Sequence, residues 1–126
     1  MSAPRTVTIR TVDHGPVTIP EPSWCAGRHP DGGARVDITH VGPDRPLTIP
    51  TRRGPAVHLV TALESRPFVA ESFLRGPFVA VEIGGDWYET GLAGLERMAS
   101  ELEAHAEQLR DRARGLAVIL AGGEGR

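Results

Sequence analysis

Residues 91–120 carry the clearest structural pattern in the chain and read GLAGLERMASELEAHAEQLRDRARGLAVIL. Their apolar side chains recur at alternating steps of three and four residues, a heptad pattern that continues for four repeats. One row is leucine throughout and the middle of the other row is alanine: Leu95, Leu102, Leu109 and Leu116, then Ala99, Ala106 and Ala113. The spacing predicts one long amphipathic helix, and the alanine row predicts that a partner packs closely against it.

Charge is sorted along the same segment. Glutamates come first, at positions 96, 101, 103 and 107, and arginines follow at 110, 112 and 114. This order suits the helix dipole. A helix of thirty residues would be about 45 Å long, which is longer than a small sheet can cover. We therefore predict a homodimer that forms through residues 91–120. The alternative, in which the seam packs wholly on its own sheet, stays open.

Upstream of the helix, short segments alternate polar residues with β-branched apolar residues, as strands do. Residues 6–12 and 17–19 predict a hairpin, and residues 36–41 and 46–50 predict a second one. The sequences PVTIP at 16–20 and PLTIP at 46–50 match at an offset of thirty, which suggests two copies of one unit.

Further strands are predicted at residues 78–83 and 87–89, with Thr90 as the N-cap of the helix. Residues 57–63 are interpreted as a strand, with a short helix as the alternative. The predicted fold is α+β. An antiparallel sheet, built from two N-terminal β-hairpins plus one or two further strands, packs on one long C-terminal helix.

Length and composition limit the possible classes of protein. The 126 residues predict a single domain, 1–126, with flexible tails at 1–4 and 122–126. A formal charge of −2 argues against nucleic acid as a partner. A single cysteine excludes an intrachain disulfide. Because no apolar run of about 18 residues and no signal-peptide pattern is present, we expect a cytoplasmic protein that does not bind membranes.

One group of residues carries recognisable chemistry. Cys25 and His29 have the spacing C-x3-H, and His40 follows eleven residues later. A thiolate and two imidazoles are suitable ligands for zinc. The sequence therefore predicts a zinc site at these three residues, with His14, Asp37 or a water molecule as the fourth ligand.

The predicted strand at 36–41 adds to this hypothesis. Its alternation places Val36, Ile38 and His40 on one apolar face, and Asp37 on the other. An imidazole on a core-facing row needs a partner, which a metal shared with Cys25 would supply. Two simpler interpretations stay open, in which Cys25 is a small buried hydrophobic residue and His40 is hydrogen-bonded in the core.

These residues also resemble those of a known group of proteins. Trp24-Cys25 with His29, and then Asp37 with His40, followed by a strand and a Leu/Ala-rich helix, is similar to an actinobacterial family of uncharacterised small proteins with a W-C-x3-H … D-x-x-H motif. The resemblance covers the chain from about Thr6 to Leu120. It implies a fold and a site worth testing, and no activity.

The sequence favours a small non-enzymatic interaction or regulatory module. It would be dimeric through its C-terminal helix, with a possible structural zinc site and a possible protein partner. One alternative is a small zinc-dependent enzyme with an open coordination position, although no convincing general base is present and no catalytic residue is assigned. Another is a DNA-binding regulator, which the negative charge weakens.

Overall fold

The N-terminal strands form two antiparallel sheets, of which the first is a simple hairpin. A computed structural model describes residues 5–122. In it, β1 (Arg5–Thr11) pairs with β2 (Gly15–Glu21). Alternation of threonine with valine and isoleucine gives the hairpin one polar and one apolar face. On the polar face the hydroxyls of Thr8 and Thr18 are hydrogen-bonded at 2.7 Å. The first predicted hairpin is confirmed.

The second sheet has five strands and is organised around the longest of them. Its members are β3 (His40–Val41), β4 (Arg45–Thr51), β5 (Gly54–Ser65), β6 (Phe78–Ile83) and β7 (Asp86–Thr90). Strand β6 pairs along one edge of β5, whereas β3 and β4 pair along its other edge. Strand β7 pairs with β6, and a short helix, α1 (Ser72–Arg75), precedes β6. The further strands predicted downstream of residue 56 are confirmed.

The second predicted hairpin has the wrong partners. Residues Arg35–Asp37 form a turn of 3₁₀ helix, and only His40–Val41 pair as a strand, with β5. Strand β4 also pairs with β5, across a turn in which Gly54 adopts a φ of +106°. The match between the two proline-flanked segments therefore reflects strand-forming composition. It does not mark a repeated unit.

A small apolar cluster attaches the first hairpin to the rest of this region. Ile9 and Ile19 from the two strands pack with Ile38, and Phe68 packs against the same cluster from the segment after β5. The guanidinium of Arg35 lies 4.9 Å from the centre of the Phe68 ring. Because the cluster is small, apolar burial alone provides limited stability to this attachment.

Backbone and carboxylate hydrogen bonds hold the segment that follows β2 alongside β1. The amide of Gly32 donates to the carbonyl of Arg10, and the amide of Arg10 donates to Asp31, at 2.8 and 2.9 Å. The amide of Arg35 donates to the Asp13 carboxylate at 2.9 Å, and this bond holds the pKa of Asp13 below its ordinary value. The long loop between β2 and β3 is thus tethered at several points.

The C-terminal helix, α2, runs from Leu92 to Leu120 and agrees with the predicted segment to within one residue. Its N-cap is Gly91; Thr90, the predicted N-cap, is the last residue of β7. None of the described residues of α2 is buried. Leu102, Leu109 and Leu116 are 48, 60 and 55 % exposed, so the leucine row is available for contact.

The chain divides into two compact units, Met1–Thr90 and Gly91–Arg126. The prediction of a single domain stays a prediction, and the predicted tails at 1–4 and 122–126 lie outside the described residues except for Gly122. Within residues 5–122, neither helix is long and apolar enough to cross a membrane.

Gly42 lies between β5 and the loop that joins β2 to β3, and we expect a substitution there to lower stability. Its amide donates to the carbonyl of Leu63 at 2.8 Å, and a Cβ added to it would lie 3.0 Å from the carbonyl oxygen of Trp24. We expect Gly42→Ala to lower the free energy of unfolding by about 1–3 kcal/mol, because the backbone beside Cys25 must shift. Urea denaturation monitored by circular dichroism measures this change.

Gly76→Ala is the matched control. Gly76 has a φ of −80°, and a Cβ added there would meet no described atom within 4 Å. Equal denaturation midpoints for the two variants would contradict the close contact at Gly42.

Candidate metal centre

Four side chains with metal-binding chemistry converge where the two sheets meet. Glu21 is the last residue of β2, and His40 is the first residue of β3. Cys25 and His29 lie in the loop between these strands. Each of the four offers one ligand atom, and these atoms all lie within 4.8 Å of one another.

The local sequence explains how the loop presents the thiol. The amide of Cys25 donates to the carbonyl of Pro22 at 3.1 Å, which closes a tight turn directly after β2. The amide of Ala26 donates to the carbonyl of Val41 at 2.8 Å and so fixes the loop to β3. Gly27, with a φ of +80°, turns its own amide back towards Cys25 Sγ at 3.4 Å. An amide donor of this kind stabilises a thiolate.

His29 Nε2 is surrounded by more acceptors than it can satisfy. It lies 3.0 and 3.1 Å from the two carboxylate oxygens of Glu21, and 3.5 Å from Cys25 Sγ. One ring nitrogen carries at most one proton, so it donates fully to only one of these three atoms. Hydrogen bonding by itself therefore explains the arrangement poorly.

His40 presents a related problem. Its Nδ1 lies 2.8 Å from Glu21 Oε1, but the oxygen is outside the direction in which this nitrogen donates a hydrogen bond. Among the described residues, Nδ1 of His40 is thus a buried nitrogen without a hydrogen-bond partner. Leaving such an atom unsatisfied typically costs about 1–3 kcal/mol. The nitrogen and the carboxylate oxygen are therefore within ion-pair distance, but their geometry is not that of a hydrogen bond.

The cluster is shielded from solvent. The side chains of Glu21, His29 and His40 are 8, 4 and 5 % exposed, and Cys25 is buried as well. Burial raises the pKa of the Cys25 thiol above its ordinary value. Burial alone would also raise the pKa of Glu21, but hydrogen bonding from Cys25 and His29 outweighs it, and the pKa of this carboxyl lies below its ordinary value.

The spacing of the donor atoms suits a tetrahedral metal ion. Zinc bonds of about 2.0–2.3 Å at tetrahedral angles place the ligand atoms about 3.3–3.8 Å apart. Three of the observed separations, 2.8, 3.0 and 3.5 Å, lie near this range, and none in the set exceeds 4.8 Å, so the widest would have to shorten around an ion. One thiol, two imidazoles and one carboxylate could therefore hold a metal ion.

Comparison with known proteins gives a family and no activity. The model of a domain of unknown function, DUF6907, matches residues 6–118. The chain belongs to this family. No curated protein and no solved structure matches it.

The structure brings together all three metal ligands that the sequence predicts in this DUF6907 domain, Cys25, His29 and His40. Neither His14 nor Asp37, the two protein residues predicted as alternatives for the fourth ligand, belongs to the group. His14 contacts Asp13 in the turn after β1, at 3.1 Å, and Asp37 is exposed in the 3₁₀ turn.

Glu21 is the fourth residue of the group, and the sequence analysis does not predict it. A signal for it exists, because Val17, Ile19 and Glu21 alternate along β2 and so share its inward face. The strand argument for His40 was only partly right. Ile38 and His40 are buried, but Val36 is exposed because the backbone there is a 3₁₀ turn.

Proposed function

We propose that this DUF6907 domain is a small non-enzymatic interaction module in which one zinc ion stabilises the β-rich unit and the C-terminal helix forms a homodimer. The observation that carries the proposal is the convergence of four buried donor atoms, from Glu21, Cys25, His29 and His40, within 4.8 Å. The crowded His29 Nε2 and the unpartnered Nδ1 of His40 both favour a bound cation over a network of hydrogen bonds.

Charge and donor type support zinc in particular. A thiolate and a carboxylate together offset the two positive charges of the ion, and two neutral imidazoles complete the set. Zinc accepts this mixture of sulfur, nitrogen and oxygen without a redox change. The Cys25 thiol must stay reduced to bind it, which a cytoplasmic location would favour.

A structural role is supported more strongly than a catalytic one. Four protein ligands complete a tetrahedral site, whereas catalytic zinc usually keeps one position for water. The ligands come from the end of β2, from the loop and from the start of β3, so a shared ion would link the first hairpin to the second sheet. Binding energy of this kind adds directly to folding energy, and the hairpin is attached by only a small apolar cluster.

The proposed interaction surface is the apolar seam of α2. Its leucine row is about half exposed along most of its length, and the heptad spacing is the pattern of helices that pair with other helices. A second copy of the same chain offers an identical seam, which makes a two-fold pair the simplest assembly.

The metal proposal predicts how zinc content depends on single ligands. Native mass spectrometry of protein purified with supplied zinc should show one zinc ion per chain. Cys25→Ala and His40→Ala should each lose nearly all of it, because a missing ligand opens the tetrahedron and weakens binding by at least about 10- to 100-fold. His14→Ala and His58→Ala are the matched controls, since both histidines are exposed, and should retain it.

Two results would contradict the proposal. The first is wild-type protein that takes up no zinc, and the second is an equal zinc content in the Cys25, His40 and His58 variants. Either would return Cys25 to the role of a small buried hydrophobic residue.

The dimer proposal predicts the effect of a charge placed in the seam. Leu102→Asp should convert the dimer into a monomer by mass in solution. The substitution removes about 1.5–3 kcal/mol of leucine burial per chain and brings an unpaired carboxylate into the interface. Ala104→Asp places the same charge two residues away, outside the heptad seam, and should leave the mass unchanged. A dimer that persists in Leu102→Asp would show that the seam is not the interface.

A further inference from the structure

We infer that two copies of α2 pair antiparallel in a single register, with Leu102 of one chain packed against Ala113 of the second copy. The inference rests on the proposed dimer and specifies its geometry. It follows from three properties of one helix: the sizes of the seam residues, the order of the charges and the exposed apolar end.

Residue size along the seam is the first argument. In this register every inner layer combines one leucine with one alanine: Leu102 with Ala113, Ala106 with Leu109, and Ala99 with Leu116. All these layers then have the same width, so the helix axes can stay close and parallel along the seam. A parallel, in-register pair would stack leucine on leucine and alanine on alanine. The distance between the helix axes would then have to alternate between wide and narrow along the seam.

Charge order is the second argument. Between residues 96 and 107, α2 carries four glutamates and one arginine, and between residues 110 and 114 it carries three arginines and one aspartate. An antiparallel pair places the acidic half of each helix beside the basic half of the other. Within this register Glu103 lies next to Arg110 of the second copy, twice by symmetry. In the single chain Arg110 contacts Glu107, at 2.8 Å, on the exposed surface of the same helix.

The end of the helix provides the third argument. Ile119 and Leu120 are exposed at the end of α2. A helix end that faces only solvent does not require apolar residues. The same register sets Leu120 against Leu95 and Ile119 against Met98 of the second copy. The apolar end of each helix is thereby covered by the first turns of the other.

A disulfide experiment tests the register directly. The double variant Leu102→Cys/Ala113→Cys should form two interchain disulfides on mild oxidation, and it should migrate as a covalent dimer on a non-reducing gel. Neither single variant should do so. In this register, two copies of residue 102 are separated by about 16 Å along the axis, whereas a disulfide needs Cα atoms within about 7 Å.

The single-cysteine variants distinguish the antiparallel pair from a parallel one. In a parallel pair Leu102→Cys alone would crosslink with itself, and this would overturn the inference. Crosslinking in neither single nor double variant, in a protein that is dimeric by mass, would also overturn it. If the wild-type protein is a monomer by mass, the proposed dimer itself is contradicted. Wild-type protein, which retains Cys25, controls for disulfides that do not involve the new cysteines.

A charge exchange measures the contribution of the flanking pair. Glu103→Arg should weaken the dimer, and adding Arg110→Glu in the same chain should restore it, because both like-charged contacts again become opposite. Dissociation measured by dilution should shift by up to about fivefold per pair, as expected for exposed ion pairs. Glu101→Arg makes the same charge change outside the seam and should shift dissociation less. A double variant no better than Glu103→Arg alone would overturn the predicted pairing.

Discussion

We propose that the stability of the β-rich part of the molecule rests on a buried cluster of one carboxylate, one thiol and two imidazoles. Glu21, Cys25, His29 and His40 lie close together, and among the described residues the hydrogen bonds of this cluster leave Nδ1 of His40 without a partner. A cation would satisfy them together, and the proposed zinc ion would turn a costly polar cluster into a source of stability. The same ion would fix the long loop between β2 and β3, which hydrogen bonds hold only at separate points.

The cluster lies where the first hairpin meets the second sheet. The first hairpin forms its own two-stranded sheet, and an isolated hairpin is marginally stable in water. Its apolar face contributes Ile9 and Ile19 to a small core, and its last residue, Glu21, enters the cluster. The C-terminal helix presents a different kind of surface, regular and about half exposed along its leucine row. The proposed module thus combines a metal-linked β-rich unit with a helix suited to self-association.

The features that follow from local sequence were predictable, and those that depend on distant pairing were not. The heptad spacing located α2 to within one residue, because a helix forms from contacts between near neighbours. Strand segments were found from their alternation, but β4 pairs with β5, a choice that alternation does not encode. At the site, the C-x3-H spacing and His40 were recognisable as ligands. Glu21 was overlooked because it ends a strand already explained by hydrophobic alternation, and its value depends on a loop that returns to it.

X-ray absorption spectroscopy at the zinc edge, on the zinc-loaded full chain, would identify the atoms that bind the proposed ion. We expect a first shell of four atoms: one sulfur at about 2.3 Å and three nitrogen or oxygen atoms at about 2.0–2.2 Å, with the outer scattering of two imidazole rings. Replacing Glu21 with alanine should change the light-atom contribution and leave the sulfur in place. A first shell without sulfur, or a shell of six oxygen atoms, would contradict the proposed site.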